Sequence, residues 1–283
     1  MTTSYDEPAV PSGGGGLVRY RLDIAYDGTD FCGWARQTAQ RSVQGEIADA
    51  LATILRLERP PRLTVAGRTD AGVHATGQVA HVDLPAHADA YRLLRALNGV
   101  LANDVRVQRV AIAPAGFDAR FSALQRRYEF RVSDAPYGAP PLRRRDTMHH
   151  DRPLDIADMQ AAAAALVGLH DFRAFCRLRV GATTIRLLLR LSCARDGDIV
   201  TVTVEADAFC HSMVRSLVGA LIAVGDGRQR PDWPAGLLNA DRRSDVVTVA
   251  QARGLTLVEV TFPPDEDLAA RAESTRATRS LSS

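Results

Sequence analysis

Residues 63–84 read Leu-Thr-Val-Ala-Gly-Arg-Thr-Asp-Ala-Gly-Val-His-Ala-Thr-Gly-Gln-Val-Ala-His-Val-Asp-Leu, which is a strand, a loop and a second strand in succession. Between the apolar runs 63–66 and 79–84 lies a segment that contains several glycines, and strands are commonly bounded by such residues. The polar loop between them, residues 67–78, carries one carboxylate, that of Asp70. Loops held by rigid strands often carry function, so we expect chemistry at Asp70. An Asx-type turn made with nearby N–H groups explains the spacing equally well.

The chain before this loop predicts a strand followed by a helix. Apolar and polar residues alternate over residues 18–26, which is the period of a half-buried strand. After a turn at 27–30, apolar residues recur at helical spacing over 43–55, and Ser42 is placed to cap that helix. The other predicted elements of this half are a helix at 90–97 and a strand at 105–112.

The second half repeats the interleaving of strands and helices. Its predicted elements are a strand at 127–132, a helix at 156–166, strands at 184–192 and 199–206, a helix at 213–224 and a strand at 255–262. Helices interleaved with antiparallel-type strands predict an α+β fold. The two halves suggest a duplicated α+β unit, although their residue identity is too weak to show it.

These patterns divide the chain into four segments. We predict a disordered leader at 1–17, an N-terminal α+β half at 18–113, a C-terminal half at 114–263 and a polar tail at 264–283. Residues 134–153, rich in proline and arginine, form a loop or linker within the C-terminal half. No apolar run reaches the roughly 18 residues of a membrane span, and no secretory signal is present, so we expect a cytoplasmic protein.

Cysteine and histidine usage argues against a metal site. The four cysteines form no C-x-x-C pair, which argues against both zinc binding and a disulfide framework, so we expect small buried hydrophobes. Among seven histidines only His149 and His150 form a cluster, and no ligand set has the usual spacing. We therefore expect no metal.

All of the 35 basic residues are arginine, although the net charge is only +2. The planar guanidinium binds phosphate in a bidentate manner and stacks on bases, which suits a nucleic-acid partner. Clusters lie in the middle of the chain, and a solvated loop surface is the competing explanation for them. Their members are Arg126, Arg127 and Arg131, then Arg143, Arg144 and Arg145, then Arg173, Arg177 and Arg179.

Five motifs together resemble the tRNA pseudouridine synthase A family, in colinear order across residues 18–262. The string Arg-Thr-Asp-Ala-Gly-Val-His within 67–78 is the specific one, and each of the others alone would be weak. The five motifs are Tyr-Asp-Gly-Thr-x-Phe-x-Gly-Trp at 26–34, Arg-Ser-Val-Gln-Gly at 41–45, the loop 67–78, Ser-Ala-x-x-x-Arg-Tyr-x-Phe at 122–130 and Phe-x-x-x-Met-Val-Arg-x-Leu-Val-Gly at 209–219.

The resemblance implies an isomerase that converts uridine to pseudouridine in the anticodon stem-loop of transfer RNA, at positions 38 to 40 in tRNA numbering. The N1–C1′ bond breaks, the base turns, and C5 joins C1′, with no cofactor or metal. The resemblance also implies a homodimer. The implied fold is two ferredoxin-like halves whose sheets join into one antiparallel sheet, with a basic cleft between them.

The resemblance also assigns the site. Asp70 is the essential carboxylate, and Tyr128 stacks on the extruded uracil. Arg68 lies two positions before Asp70, where we expect it to fill the gap left by a flipped nucleotide or to hold its phosphate, because base extrusion must be offset. Arg215 pairs with Asp70, and an opposite charge nearby favours the ionised carboxylate. One carboxylate suffices because the departing base is itself the returning nucleophile, whereas a glycosidase that admits water uses two. The residues leave open whether Asp70 attacks C1′, attacks the base or assists elimination to a glycal.

Several alternatives remain open from the residues alone. Tyr128 at an alternate strand position also fits a core tyrosine, and Arg215 among apolar neighbours needs some partner to offset its burial. Cys210 and His211 occupy positions that are often apolar or amide-bearing in the family. An RNA-binding module without catalysis is the rival function. A nucleotide-binding enzyme using the loop 67–77 fits less well, because the loop ends in a strand and offers no lysine to phosphates.

Overall fold

The computed structural model describes residues 16–86, 88–177 and 183–276, and within these ranges it contains a ten-stranded, mostly antiparallel sheet and six α-helices. All but the last two residues of the expected leader lie outside these ranges. The first strand begins at Leu17, one residue earlier than the pattern predicts. None of the helices within these ranges is long and apolar enough to cross a lipid bilayer.

The N-terminal half has the strand order β4-β1-β3-β2, which is that of a ferredoxin-like β-α-β-β-α-β unit. Its elements are β1 (Leu17–Tyr26), α1 (Val43–Leu55), β2 (Thr64–Val65), β3 (His74–Pro85), α2 (Ala90–Val100) and β4 (Val105–Ile112). Alternate residues of β1 are buried, as its period predicts, and the Ser42 hydroxyl accepts from the Gly45 N–H at the start of α1.

The C-terminal half repeats this plan with the order β10-β5-β9-β8, to which β7 adds an edge. Its elements are β5 (Gln125–Ser133), β6 (Met148–His149), α3 (Ile156–Ala164), β7 (Gly168–Asp171), β8 (Ile185–Asp196), β9 (Ile199–Ala206), α4 (Met213–Gly225), α5 (Trp233–Gly236), β10 (Leu255–Thr261) and α6 (Leu268–Arg276). The α+β class and the two ferredoxin-like halves are thus confirmed. The domain boundaries at 113 and 263 stay a prediction.

The two halves join through β3 and β10, and this join is parallel, unlike the antiparallel pairing that dominates the sheet. Leu257 of β10 pairs with Ala75 at the start of β3 on one side and with Tyr128 of β5 on the other. The end of the loop 67–73 therefore lies two strands away from Tyr128, at the same level of the sheet. The join brings together two of the segments that the motifs singled out.

The segment 134–153 contains more structure than the predicted loop or linker. Residues 141–143 form a 3-10 turn, and β6 pairs in parallel with the end of β5. The Arg145 guanidinium contacts the Asp27 carboxylate at 2.9 Å, in the turn that follows β1. This arginine-rich segment of the C-terminal half is therefore tied to the N-terminal half.

Candidate active site

The loop that carries Asp70 rests on the segment that follows β1. The Trp34 N–H donates to the Thr69 carbonyl at 3.0 Å, and the Gly72 N–H donates to the Phe31 carbonyl at 3.3 Å. The hydroxyls of Tyr26 and Thr69 are hydrogen-bonded at 2.8 Å. Residues 26–34 therefore form a platform under the loop, which explains why the two motifs occur together.

At two positions of this platform only glycine fits, because the backbone of the platform lies very close to the backbone of the loop. Gly33 has a φ of +108°, and a Cβ on it would lie 2.7 Å from the Thr69 carbonyl oxygen. A Cβ on Gly28 would lie 2.0 Å from the Val73 carbonyl oxygen. Any larger residue at either position would push the backbone of the loop away from its support.

Buried polar side chains hold both ends of the loop. The Gln78 amide donates to the Gly67 carbonyl at 2.9 Å and to the Tyr26 hydroxyl at 3.2 Å. Burial raises the pKa of Tyr26 to about 12, although hydrogen bonds to Thr69 and Gln78 oppose it, so its hydroxyl stays protonated. His74 accepts from the Gly28 N–H at Nδ1, and its Nε2 lies 3.0 Å from the Arg253 carbonyl. His74 therefore ties the loop to the segment before β10, and it is a structural residue here.

Asp70 lies between Arg215 and His211, which both come from the motif at 209–219; the arginine is cationic, and the histidine is cationic only when it is protonated. One carboxylate oxygen is 3.9 Å from Nη1 of Arg215, and the other is 3.5 Å from Nε2 of His211. The Asp70 side chain is 35% exposed, so solvent or a ligand can reach it. A carboxylate in these surroundings can act as a nucleophile or as a base. The structure places Arg215 next to Asp70, as the resemblance implies.

Arg215 is held in place by the backbone of a distant segment. Its Nε donates to the Ala250 carbonyl at 2.7 Å, and its own carbonyl accepts from the Ala250 N–H at 3.0 Å. Burial lowers the pKa of Arg215, and the Asp70 carboxylate opposes that shift. The guanidinium therefore has a fixed direction towards Asp70.

Tyr128 lies in β5 with only 7% of its surface exposed. Its ring meets the ring of Phe209 edge to face, with centroids 5.2 Å apart. Burial raises the pKa of Tyr128, and the charge of Asp70 adds to the shift. Tyr128 is therefore both a packed core residue and a neighbour of Asp70, so both interpretations of this residue from the sequence apply.

Arg68 is exposed on the loop two residues before Asp70. Within residues 16–86, 88–177 and 183–276 no hydrogen bond or ion pair restrains its guanidinium. It is therefore available to a ligand that approaches Asp70. The arginines of 143–145 are exposed as well, whereas Arg179 of the basic stretch lies outside the described residues.

The place of His211 beside Asp70 was not predicted from the sequence, and the prediction that Cys176 and Cys210 form no disulfide was wrong. Cys176 and Cys210 form a disulfide, and the Arg177 N–H donates to the His211 carbonyl at 3.0 Å. The two loops run side by side, so residues 34 apart in sequence lie with their Cα atoms 5.8 Å apart. A spacing motif cannot reveal such a pair, because the fold and not the local sequence brings the loops together. In the described part of the chain, no three His, Cys, Asp or Glu side chains are grouped as metal ligands.

Comparison with known proteins identifies the family. A sequence profile described as tRNA pseudouridine synthase matches residues 162–263. A protein of Frankia casuarinae named tRNA pseudouridine synthase A is 63% identical over 265 residues, which are 93% of this chain and 96% of that protein. This chain belongs to the tRNA pseudouridine synthase A family.

Other members of the family match over the same extent. The tRNA pseudouridine synthase A of Streptomyces griseus is 57% identical, with 94% of this chain and 95% of that protein covered. The family member of Mycobacterium leprae is 53% identical, with 93% and 96% covered. The resemblance seen in the motifs is thus confirmed over nearly the whole chain, and membership of the family makes the protein an isomerase.

Proposed function

We propose that the protein isomerises uridine to pseudouridine in the anticodon stem-loop of transfer RNA, at positions 38 to 40, with Asp70 as the essential carboxylate and without a cofactor. The observation that carries this proposal is the partly exposed Asp70 carboxylate between Arg215 and His211, on a loop supported from both sides. Its relatives are named for action on tRNA, and the arginine clusters suit a phosphate-rich partner.

The reaction needs no second substrate. The N1–C1′ bond breaks, the C5–C1′ bond forms, C5 loses a proton and N1 gains one, so atoms and charge balance. One carboxylate is enough because the leaving base stays in the site and returns as the nucleophile. Asp70 attacks C1′, attacks the base, or removes a proton to give a glycal, and each of these routes uses its ionised form.

The neighbouring residues receive distinct roles. Arg215 orients Asp70 and favours its ionised form. Tyr128, near Asp70 at the centre of the sheet, packs against the extruded uracil. Arg68, which is exposed and unrestrained within the described residues, occupies the gap left by the flipped nucleotide or holds its phosphate. Transfer RNA spans two subunits of a homodimer in this proposal.

The test is to incubate the purified protein with unmodified transfer RNA and no added cofactor. Pseudouridine is mapped by carbodiimide adducts and primer extension, with the Asp70→Asn variant alongside. Product from the wild type alone, within the anticodon stem-loop, supports the proposal. Tight binding without product from the wild type would favour an RNA-binding module, and product elsewhere in the tRNA would overturn the assigned positions.

A further inference from the structure

Arg126 is a buried cation that the proposed chemistry does not use. It lies in β5 two residues before Tyr128, and only 7% of its surface is exposed. Its guanidinium donates to three backbone carbonyls, those of Ala66 at 2.7 Å, Asp207 at 2.7 Å and Arg120 at 2.9 Å. Within the described residues no carboxylate forms an ion pair with it. Carbonyl dipoles, with a contribution from the nearby charge of Asp207, replace the water that this charge loses on folding.

Such an arrangement opposes stability more than an apolar side chain of similar size would. Removing a charge from water is costly, and well-packed hydrophobic residues often replace buried ions without loss of stability. Burial lowers the pKa of Arg126 to about 10, so the guanidinium is still charged at neutral pH. Stability is therefore a poor reason for placing an arginine at this position.

The positions of the acceptors suggest a different reason. Ala66 immediately precedes the loop 67–73, which carries Asp70. Asp207 opens the loop 207–212, which carries His211 and leads into the helix that carries Arg215. The strand of Arg126 itself carries Tyr128. One guanidinium thus bridges the three segments that supply the candidate site.

Other main-chain contacts do not make this bridge. The loop 67–73 bonds to residues 31 and 34, and the loop 207–212 bonds to residues 177 and 187. Among the described residues no main-chain hydrogen bond joins one loop to the other. Asp70 itself also joins the two segments, through His211 and Arg215.

We propose that Arg126 is a positioning residue for the isomerisation, because it fixes the loop of Asp70 against the loop of His211 and Arg215. The activity part of this inference rests on the proposed function, and the structural part does not. A displacement of about 1 Å between reacting groups can cost about 100-fold in rate, so loss of this bridge acts on the chemical step. Affinity for tRNA depends mainly on exposed arginines and changes little.

The experiment compares Arg126→Lys and Arg126→Met with Arg195→Met as the matched control. Arg195 donates to both Asp134 carboxylate oxygens, at 2.8 and 2.7 Å, and to the Leu154 carbonyl at 3.0 Å. It therefore also joins segments through three hydrogen bonds, but those segments hold none of the candidate site residues. The lysine variant keeps the charge, and a single ammonium cannot reproduce the planar fork that serves three carbonyls.

Steady-state kinetics and amide hydrogen exchange are measured on all variants, below the temperature at which any of them unfolds. We expect Arg126→Lys to lower kcat by about 10- to 100-fold with KM changed less than about threefold, and Arg195→Met to change neither by more than about twofold. We also expect faster exchange at residues 67–73 and 207–212 in the Arg126 variants alone.

The outcomes separate positioning from general stability. A wild-type kcat in Arg126→Lys, or equal losses of kcat in Arg126→Lys and Arg195→Met, would overturn the proposal. Unchanged exchange in the two loops would overturn it as well. If Arg126→Met does not fold, Arg126→Lys decides the result. If the wild type makes no pseudouridine, the proposed function fails, and the exchange comparison still decides whether Arg126 anchors the two loops.

Discussion

His211 Nε2 lies 3.5 Å from one carboxylate oxygen of Asp70, while Arg215 faces the other oxygen at 3.9 Å. The arginine is permanently charged, whereas the imidazole is charged only when protonated. Asp70 thus has one constant and one switchable cationic neighbour. The field at Asp70 therefore depends on whether His211 is protonated.

Replacement of His211 by asparagine should alter the pH dependence of the reaction. Histidine is the side chain whose ordinary pKa lies between about pH 5 and 8, so a pH profile of kcat tests whether the His211 imidazole acts on Asp70 through its charge, which His211→Asn cannot carry. The measurement is kcat on saturating tRNA from pH 5.5 to 8.5 for both proteins. Superimposable pH profiles would show that His211 does not act on the chemical step.

Replacement of Arg215 by glutamine should lower kcat by about 100-fold, because Asp70 loses its constant cation while remaining in the loop. Arg215→Lys keeps a charge and loses the Nε donor to the Ala250 carbonyl, so its kcat should lie between that of the wild type and that of Arg215→Gln. Single-turnover rates with excess enzyme measure this order. Normal turnover in Arg215→Gln would remove Arg215 from the site.

Loss of the disulfide should destabilise the protein. Closing a loop of 34 residues is worth about 3–4 kcal/mol in the chain-entropy model, so Cys176→Ser with Cys210→Ser should lower the free energy of unfolding by that order. Cys193, which is free, provides the control through Cys193→Ala. Urea unfolding with and without reductant gives the values. If reductant does not change wild-type stability, the bond is absent in solution.

The pKa of Asp27 predicts an acid-sensitive contribution to stability. Burial acts to raise this pKa, but hydrogen bonds from Thr29 and Arg145 outweigh it and lower the pKa of Asp27 to about 2. Because the folded value lies below the unfolded value of about 3.9, the stabilisation is complete above pH 4 and is lost as the pH falls towards 2. Asp27→Asn should cost about 1 kcal/mol at pH 7, after allowance for solvent screening, and almost nothing at pH 2.

Unfolding by urea at pH 7 and at pH 2 tests this window, with Asp49→Asn as the control. Asp49 pairs with Arg36 at 2.8 Å on the surface, with more than half of its side chain exposed, so its replacement should have little effect at either pH. A constant difference between the wild type and Asp27→Asn across the two conditions would contradict the assignment.

Exposed arginines near the N-terminal half should contribute to tRNA affinity through phosphate contacts. The Arg144 side chain is exposed and bonds to the Pro141 carbonyl at 3.2 Å, which leaves its charge for a ligand. Arg144→Gln should weaken binding and reduce the slope of log K against log salt by about 1. Binding isotherms at several salt concentrations give that slope. An unchanged slope would exclude Arg144 from the contact.

Hydrophobic periodicity and helix-capping residues predicted the bounds of several helices and strands well. The alternation in 18–26 and the helical spacing after Ser42 gave β1 and α1 to within one residue. The strand β3 begins at His74, five residues before the expected run, because both β1 and β10 pair with its first residues. The edge strand β7 was missed, since its four residues show no alternation.

The candidate site was predictable only in part, because local patterns do not reveal contacts between segments that are distant in sequence. The specific string around Asp70 pointed to its loop, and the resemblance supplied Arg215 and Tyr128. The bridge made by Arg126 and the pairing of Cys176 with Cys210 depend on segments that are distant in sequence. Neither has a spacing signature, because the fold brings the segments together: the Arg126 bridge joins the two halves, and the disulfide joins two loops within the C-terminal half.

The parallel pairing of β3 with β10 also dictates when, during synthesis, the site can exist. The strand β10 ends at Thr261 and lies in the middle of the sheet, between β3 and β5. While a ribosome is still making the chain, Asp70 and Tyr128 emerge without the strand that aligns them. A truncated or stalled product that ends before β10 therefore carries both residues but not the arrangement between them.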